Sequence, residues 1–342
     1  MRLETYGIAA APPDIRALFD RQMLPEGCWD WFEVLAATTL SPPEEAALLV
    51  LADDKGSRLA AMPVVMLGGR VIRGLTSPFT TLFPSPLGGE DSARLFGKLL
   101  AGRVGATLRL DALDGTQSAT KALQAGLAEG GLAVLGFRHF ANWFEHIDNF
   151  AGYWNGRGSQ LKATVKRKGA PLLRENRLGF EWIDLTSRWR EGADIYGAIY
   201  AKSWKPAEPH PHFIDALLER LGARGIARLA VARIDGVPAA AQIWLVQGER
   251  ATIFKLAHDP AFDRQSPGTL LTHWALGQLC DTGGVREVDF GRGDDTYKRQ
   301  WLGGTRDRQG LLAANPRSLK GLAAILFDIL PSKAAAHLRA QT

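Results

Sequence analysis

Residues 251–301 read ATIFKLAHDPAFDRQSPGTLLTHWALGQLCDTGGVREVDFGRGDDTYKRQW, and this stretch decides the fold of the chain. Thr252–His258 is rich in residues that favour strands and alternates in polarity, so it predicts a strand. Ser266 and Pro267 suit the N-cap and the first position of a helix over Thr269–Cys280, which a Gly-Gly pair ends. Val285–Phe290 then predicts a second strand. The order strand, loop, helix, strand is typical of an α/β protein.

The loop between the first strand and the helix has the character of an anion-binding turn. A helix N-terminus presents backbone N–H groups without intrahelical partners, and the helix dipole favours negative charge there. The loop reads Gln265-Ser266-Pro267-Gly268-Thr269-Leu270. It resembles the pyrophosphate loop of GNAT-type acyltransferases, Q/R-x-x-G-x-G/A, in which Gln265 and Gly268 match and Leu270 departs from the pattern.

Further motifs extend this resemblance over residues 142–308. The chain resembles a family of acetyltransferase-like proteins associated with bacterial cellulose biosynthesis (CelD-like), which is related to the Fem peptidoglycan aminoacyltransferases. Bacterial ceramide synthases look like members of the same family. The motifs that carry the resemblance, besides the loop, are Ser203-Trp204-Lys205, Ala257-His258-Asp259-Pro260, Val288–Asp294 and Tyr297-Lys298-x-x-Trp301.

The resemblance implies a set of site residues. The acyl group would lie beside Thr252–His258, where a histidine such as His258 can accept a proton from the attacking amine. Asp289 would bind or deprotonate that amine, and Tyr297 would protonate the departing thiolate. The expected ligands of an acyl-CoA co-substrate are Arg264, Gln265, Ser266, Gly268, Thr269 and Lys298, and those of the acceptor are Trp204 and Asp294.

Each of these residues also has a structural interpretation. His258 could be an ordinary hydrogen-bonded residue at a strand end. Asp289 could cap backbone groups near Gly291, and Tyr297 and Trp301 could simply pack in the core. Both interpretations stay open at the level of sequence.

Composition limits the class of protein. The 342 residues are 46% hydrophobic and 23% charged, as in a folded protein. Two distant cysteines without a C-x-x-C pair fit a reducing compartment. The net charge of +5 is compatible with an anionic membrane surface, a phosphate-rich cofactor or nucleic acid.

Several functions lack their motifs. The chain has no G-x-S-x-G, H-E-x-x-H or Walker pattern, so hydrolase, metalloprotease and kinase activities are not indicated. His210 and His212 flank a proline but have no evident third ligand, so we expect no metal. The N-terminal residues have no adequate apolar core for a signal peptide, and no apolar run is long enough to span a membrane. We therefore expect a cytoplasmic protein, compatible with peripheral contact at an anionic inner membrane face.

The order of elements in this stretch occurs twice. The first half of the chain predicts three strands with Gly turns, then a loop, a helix and a strand that contains Asp111. The same order recurs about half a chain later, where the last strand contains Asp289. We therefore predict an α/β (α+β) fold of two tandem GNAT-like lobes around a shared cleft. The expected parts are an N-terminal lobe (1–140), a basic linker (141–180), a C-terminal lobe with the phosphate loop (181–318) and a C-terminal helix and tail (319–342).

Three other segments carry expectations. Residues 157–177 hold seven cations and one acid, and Gly169-Ala170-Pro171 predicts a break into two helices. The segment is either a solvated face or a surface for a polyanion. Leu319–Leu330 predicts a helix that docks on the core. The apolar loop within Met62–Gly89, which includes Leu87, either packs the lobes or touches a bilayer.

The favoured function is an N-acyltransferase that moves an acyl group from acyl-CoA to an amine. Resemblance to ceramide synthases implies a long-chain (sphingoid) base as acceptor, with a small-molecule or lipid partner and no nucleic acid. The alternatives are acylation of an amino sugar in an exopolysaccharide, Fem-like aminoacyl transfer from tRNA, and a binding protein without activity.

Overall fold

The computed structural model describes residues 1–84, 86 and 88–340. The chain forms two compact units, the first made of residues 1–22, 26–141 and 307–342 and the second of residues 23–25 and 142–306. The first unit is thus discontinuous in sequence. The predicted lobes were drawn differently, since residues 307–318 were placed with the C-terminal lobe.

The first unit combines strands with peripheral helices. Its strands are β1 (Arg2–Gly7), β2 (Glu45–Ala52), β3 (Arg58–Leu67), β4 (Arg70–Gly74), β5 (Val104–Leu113), the first part of β6 (Ala133–His146) and most of β12 (Gly304–Ala314). Its helices are α1 (Pro13–Asp20), α2 (Trp29–Thr38), α3 (Glu90–Ala101), α4 (Ser118–Glu129), α11 (Leu319–Ala324) and α12 (Leu330–Ala340).

The sheet of the first unit is mixed. Strands β1 to β5 follow one another in order, and β12 pairs with β5. The pairing of β4 with β5 is parallel, whereas β1 to β4 and the pair of β5 with β12 are antiparallel. Strand β5 is therefore an inner strand, held on one side by a neighbour that comes from the far end of the sequence.

The second unit contains the phosphate loop. Its strands are the end of β6, β7 (Leu178–Ile183), β8 (Ala227–Ile234), β9 (Val237–Gln247), β10 (Arg250–His258) and β11 (Glu287–Arg292). Its helices are α5 (Phe150–Asn155), α6 (Ser159–Arg174), α7 (Leu185–Lys202), α8 (Phe213–Ala223), α9 (Pro267–Asp281) and α10 (Lys298–Trp301). The order of strands is β6-β11-β10-β9-β8-β7.

The two units repeat one plan. In the first, β2, β3 and β4 lead through α3 to β5, and in the second, β8, β9 and β10 lead through α9 to β11. In both units the strands that flank this helix pair in parallel. The predicted α/β fold of two GNAT-like lobes is confirmed.

Helix α9 and the sheet of the second unit enclose a core. Apolar residues of α9, among them Leu271 and Leu276, pack with Trp244 of β9 and Val288 of β11, and all four are fully buried. Burying a large apolar side chain stabilises a fold by about 1.5–3 kcal/mol. This packing fixes the position of the first turn of α9, which forms one wall of the candidate site.

The basic segment forms one helix rather than the predicted two. Helix α6 runs through Pro171 to Arg174. Pro171 removes the one hydrogen bond that its N–H would donate to the Arg167 carbonyl, but only the end of the helix follows it. The helix is also held by packing, because a Cβ at Gly169 would lie 3.1 Å from Leu270 of α9.

The predicted apolar loop of the first unit is mostly interior. Leu75, Phe79, Leu82 and Phe83 are buried, which argues against contact of these side chains with a bilayer, and Leu87 lies outside the described residues. Among the described helices, none is long and apolar enough to cross a membrane.

Candidate active site

The loop between β10 and α9 turns sharply at Ser266. This residue has left-handed backbone angles (φ 54°, ψ 51°), and Pro267 follows as the first helical residue. Ser266 stands at the N-cap position, but its side chain makes no cap hydrogen bond, contrary to the sequence prediction. The first-turn N–H groups of Gly268 and Thr269 have no intrahelical partner, so they are available to an anion.

Leu270 departs from the GNAT loop pattern for a packing reason. Its side chain is buried in a small cluster with Leu172 of α6 and Ala239 of β9. It points away from the loop and fills the space beside Gly169. The departure therefore changes how α9 packs on α6 and leaves the backbone at Gly268 open.

Strands β10 and β11 are paired only at their start. The parallel register joins residues 250–252 to residues 287–289. Strand β10 continues to His258 along β9, with a bulge between Ile253 and Lys255. Past Thr252 the described part of the chain shows no ladder between β10 and β11, so the two strands diverge there.

A pocket of about 370 Å³ lies where this opening meets the first turn of α9. One wall is the loop, including Pro267, Gly268 and Thr269, and another is aromatic, with Trp204, Tyr297 and Trp301. Leu256 and His258 contribute from β10. The pocket thus combines an anion-binding helix end with apolar surface.

His258 is oriented by two neighbours. Its Nε2 lies 2.8 Å from Asp263 Oδ1, and its ring lies against the Trp204 ring with 4.8 Å between centroids. With Nε2–H donating to Asp263, Nδ1 carries the lone pair. A Cβ on Gly268 would lie 3.9 Å from Nδ1, so the lone pair faces the first turn of α9.

A buried polar chain supports the same turn. Trp244 Nε1 donates to Gln242 Oε1 (3.2 Å), and Gln242 Nε2 donates to Thr272 Oγ1 (2.7 Å) and to the Gly268 carbonyl (3.2 Å). Gln242 is 1% exposed. Buried networks of this kind fix geometry when every member is bonded, so Gln242 ties β9 to the loop. Sequence analysis did not identify Gln242.

Tyr297 lies at the edge of the pocket, 38% exposed as a residue. Burial of its hydroxyl, together with the Asp295 carboxylate, raises the pKa of Tyr297 above its ordinary value. The phenol therefore remains protonated at neutral pH and keeps its O–H as a donor at the pocket.

Lys205 is a second residue that sequence analysis did not place in the site. Its Nζ donates to the Leu256 carbonyl of β10 at 2.5 Å. Burial lowers the pKa of Lys205 to about 8, and the cation of Lys255 acts in the same direction. The available signal was its position directly after Trp204 in the Ser-Trp-Lys motif.

Asp289 is fully engaged inside the protein. Its Oδ1 accepts hydrogen bonds from Asn142 Nδ2 (2.7 Å) and the Gly291 N–H (2.6 Å), and its Oδ2 accepts from Arg306 Nη2 (2.7 Å). Burial alone would lower the pKa of Arg306, but the carboxylates of Asp289 and Glu287 outweigh it and raise that pKa. This arrangement matches the backbone-capping interpretation, and Asp289 is not among the pocket-lining residues.

Lys298 and Asp294 are likewise held by local partners. The buried Lys298 ammonium donates to the carbonyls of Arg292 (2.5 Å) and Gly293 (3.3 Å) and pairs with Asp295. Asp294 accepts from Trp143 Nε1 and from Arg299, each at 3.0 Å. Both side chains stabilise the segment between β11 and α10.

The remaining predicted ligands lie in the short helix before α9. Arg264 is exposed. Gln265 Oε1 is buried and has no hydrogen-bond partner among the described residues, so it can accept from an N–H donor. The structure thus brings together His258, Gly268, Thr269, Trp204 and Tyr297 at one pocket. The described residues include no cluster of His, Cys, Asp or Glu that could hold a metal ion.

Comparison with known proteins agrees with this geometry. Residues 159–299 match the model of the acetyltransferase (GNAT) domain, which spans the basic helix, the loop and the pocket. None of the curated proteins searched matches the chain by sequence.

Solved structures share the fold across both units. FemX is 10% identical, with a TM-score of 0.61 over 88% of this chain and 93% of FemX. The C-terminal domain of a putative lysylphosphatidylglycerol synthetase from Agrobacterium fabrum is 15% identical (TM-score 0.54, 90% and 93% covered). A tandem GNAT protein from the clavulanic acid biosynthesis pathway is 14% identical (TM-score 0.50, 92% and 99% covered).

The GNAT domain match and the tandem fold define the class of this protein. Residues 159–299 form an acetyltransferase (GNAT) domain, and the chain is an acyltransferase. The predicted enzyme class is confirmed.

Proposed function

We propose that the chain transfers an acyl group from an acyl-CoA thioester to a primary amine in the pocket at the end of β10. The main observation behind this proposal is that three features meet at one pocket: an open helix N-terminus, a histidine oriented by a carboxylate, and a protonated tyrosine. The N–H groups of Gly268 and Thr269 would hold the diphosphate. Arg264 and Gln265 supply a cation and an acceptor beside them.

The basic helix α6 adds to this interpretation. Its cations Lys166, Arg167 and Arg174 are exposed, and no acid lies between Ser159 and Arg174. Gly169 of the same helix contacts Leu270 in the first turn of α9. Positive charge near that turn would raise the local concentration of a phosphate-rich substrate. Lys298 does not bind the substrate in this proposal, because its ammonium is hydrogen-bonded within the protein.

The reaction needs two proton movements. The amine nitrogen attacks the thioester carbonyl, and His258 Nδ1 accepts the proton that the amine loses. The C–S bond then breaks, and the Tyr297 hydroxyl donates its proton to the departing thiolate. Holding the two substrates in line supplies much of the rate. In this proposal the hydrogen-bonded chain of Gln242 and the ring of Trp204 position the substrates.

We further propose an apolar acceptor. The pocket presents Trp204, Leu256 and Trp301 to the substrate, surfaces that suit an alkyl chain better than a sugar. A long-chain base is the acceptor class to test first. An amino sugar would require a pocket richer in carboxylates and amides.

The test is thioester consumption by the purified protein. Acetyl-CoA and palmitoyl-CoA would each be offered with sphinganine and with glucosamine, and free thiol would be followed. We expect thiol release that requires the long-chain amine. Thiol release with glucosamine but not with sphinganine would show that the acceptor is an amino sugar. Thiol release with none of the pairs would overturn acyl-CoA-dependent transfer.

Tyr297→Phe tests the acid. We expect turnover to fall by about 100-fold, within the usual range for a general acid, with unchanged thermal unfolding. Because the pKa of Tyr297 is raised, the loss should be the same across neutral and mildly alkaline pH. Tyr6→Phe, on β1 of the first unit, is the matched control. Wild-type turnover of Tyr297→Phe would reduce this residue to a packing role.

Gly268→Asp tests the anion site. A carboxylate in the first turn of α9 would repel a diphosphate, so we expect acyl-CoA affinity to fall by about 100-fold. Stability should hold or rise slightly, because an acid suits a helix N-terminus. Gly268→Ala is the control, since its Cβ has room. Equal affinities of the Asp and Ala variants would remove the loop from the site.

A second candidate is Fem-like transfer from aminoacyl-tRNA. The uninterrupted cations of α6 favour it, because RNA is bound chiefly through phosphates. We would then expect RNA affinity that falls steeply with salt and that Arg167→Glu weakens. Thiol release from acyl-CoA without RNA would argue against it.

A further inference from the structure

The C-terminal helix exposes a continuous apolar face. The exposed fractions are 88% for Leu319, 42% for Leu322, 57% for Leu326, 78% for Phe327 and 51% for Leu330. A π-helical turn, Ile325–Ile329, joins α11 to α12, and it leaves Leu326 and Leu330 exposed while Ile329 is buried. The sequence predicts that this helix docks on the core with Leu319, Leu322, Leu326 and Ile329 on one face. Ile329 is buried as predicted, whereas the three leucines are exposed.

The opposite side of the helix is attached to the first unit. Gly321 and Ile329 are buried, and a Cβ at Gly321 would lie 2.1 Å from the Asn315 carbonyl. Asn315 Nδ2 in turn donates to the Gly105 carbonyl of β5 at 3.0 Å. The helix is therefore fixed by its small residue against the strand, which directs the leucines outward. The apolar face is a property of the folded protein and not of a frayed tail.

Cations border this face. Lys320 directly follows Leu319, and Lys333 follows Leu330 within one helical turn. Both lysines are exposed, as is Arg317 at the start of the segment. Asp328 is the single acid between Arg317 and Lys333. Leucine and phenylalanine on one face with lysines at its edges are typical of helices that lie in a membrane interface.

We propose that residues 319–333 dock on the surface of an anionic bilayer. The side chains of Leu319, Leu322, Leu326, Phe327 and Leu330 enter the boundary between headgroups and acyl chains. Lys320 and Lys333 reach the lipid phosphates. The helix lies along the surface, in keeping with the absence of a spanning helix among the described residues.

A bilayer fits this face better than a second copy of the chain. The exposed face consists of five large side chains, whereas each partner of a standard protein interface contributes roughly 20–30 residues. A two-fold pairing would also bring like cations of the two copies together at the edges of the contact. An anionic surface instead complements Lys320, Lys333 and the net charge of +5.

The proposal goes beyond the transferase activity and is tested without turnover. Full-length protein would be floated with vesicles of phosphatidylcholine alone or with about a third phosphatidylglycerol. We expect binding to the anionic vesicles, weakened at least about tenfold in Leu326→Ser/Phe327→Ser, where both substitutions remove exposed apolar surface. Lys320→Glu/Lys333→Glu should abolish the preference for anionic lipid.

Leu67→Ser/Val237→Ser is the matched control, since these residues are comparably exposed on other elements. Circular dichroism and thermal unfolding would verify that each variant is folded. Equal binding of wild type and the Leu326/Phe327 variant would overturn the proposal. So would a wild-type dimer in light scattering that this variant dissociates, because the face would then serve a second copy. A failure of the acyl-CoA assay would leave vesicle binding unaffected.

Discussion

An aspartate in a GNAT-like motif can be structural rather than catalytic, and Asp289 is an example. It follows a strand in a GNAT-like position, which suggested a base for the amine. In the structure both its oxygens accept hydrogen bonds, from Asn142, Gly291 and Arg306, and Asp289 does not line the pocket. Asp263, an exposed residue of the short helix before α9 (Pro260–Gln265), orients His258 instead. A carboxylate's partners decide its chemistry more than its motif does.

Asp289→Asn should therefore affect folding more than chemistry. The substitution removes the charge that faces Arg306 and leaves that guanidinium half-paired in a buried place. Breaking a buried pair in this way costs about 3–5 kcal/mol. We expect a marked fall in thermal stability and a turnover per folded molecule close to that of wild type. A stable variant with much lower turnover would return Asp289 to a catalytic part.

At the scale of elements, Leu270 shows how a loop pattern and a helix packing are coupled. A small residue at this position would complete the GNAT pattern. Here the position faces the space between α9 and α6, where Leu270 is 3% exposed. The anion-binding backbone and the packing side chain are separate features of the same turn.

Leu270→Ala would restore the small residue of the GNAT pattern and still be harmful. A leucine-to-alanine change in a core costs about 2–5 kcal/mol, and the loss should loosen α6 from α9. We expect a lower midpoint of denaturant unfolding and no gain in acyl-CoA affinity. Tighter acyl-CoA binding by Leu270→Ala would mean that the leucine obstructs the loop.

The order of elements was predictable from the sequence because its signals are local. Alternating strands, Gly turns and the Ser266-Pro267 start gave β10, α9 and β11 within a few residues. The errors arose where tertiary packing decides. Pro171 was read as a helix break, but its place in a last turn and the Gly169 contact keep α6 whole. The outward face of the C-terminal helix depends on Gly321 packing, which no periodicity reveals.

The site was predictable only in part, for the same reason. His258, Gly268 and Tyr297 lie near each other in sequence and converge on the pocket. The partners of Asp289 are 147 and 17 residues away, and Gln242 acts from a neighbouring strand. Such contacts follow from the sheet register and cannot be read from spacing in one motif.

At the scale of the whole molecule, the chain closes the first unit with its last part. After the second unit, β12 returns to pair with β5, with Leu311 opposite Leu110 and Ala313 opposite Leu108. Leu311, Ala313 and Ala314 are fully buried. The segment after Arg306 is therefore an inner strand of the first unit, although its position in the sequence suggested an extension of the second.

Two truncations should separate the strand from the helix that follows it. Ending the chain after Arg306 removes most of β12, which exposes the edge of β5 and opens the core of the first unit. We expect insoluble protein or loss of the cooperative unfolding transition.

Ending the chain after Ser318 keeps β12 and removes the Ile329 contact and the apolar face. That protein should stay folded, with a melting temperature lower by about 5–10 °C, and should no longer bind anionic vesicles. Solubility, circular dichroism and vesicle flotation of both proteins would measure this. A soluble, cooperatively folded protein that ends at Arg306 would show that β12 is dispensable to the first unit.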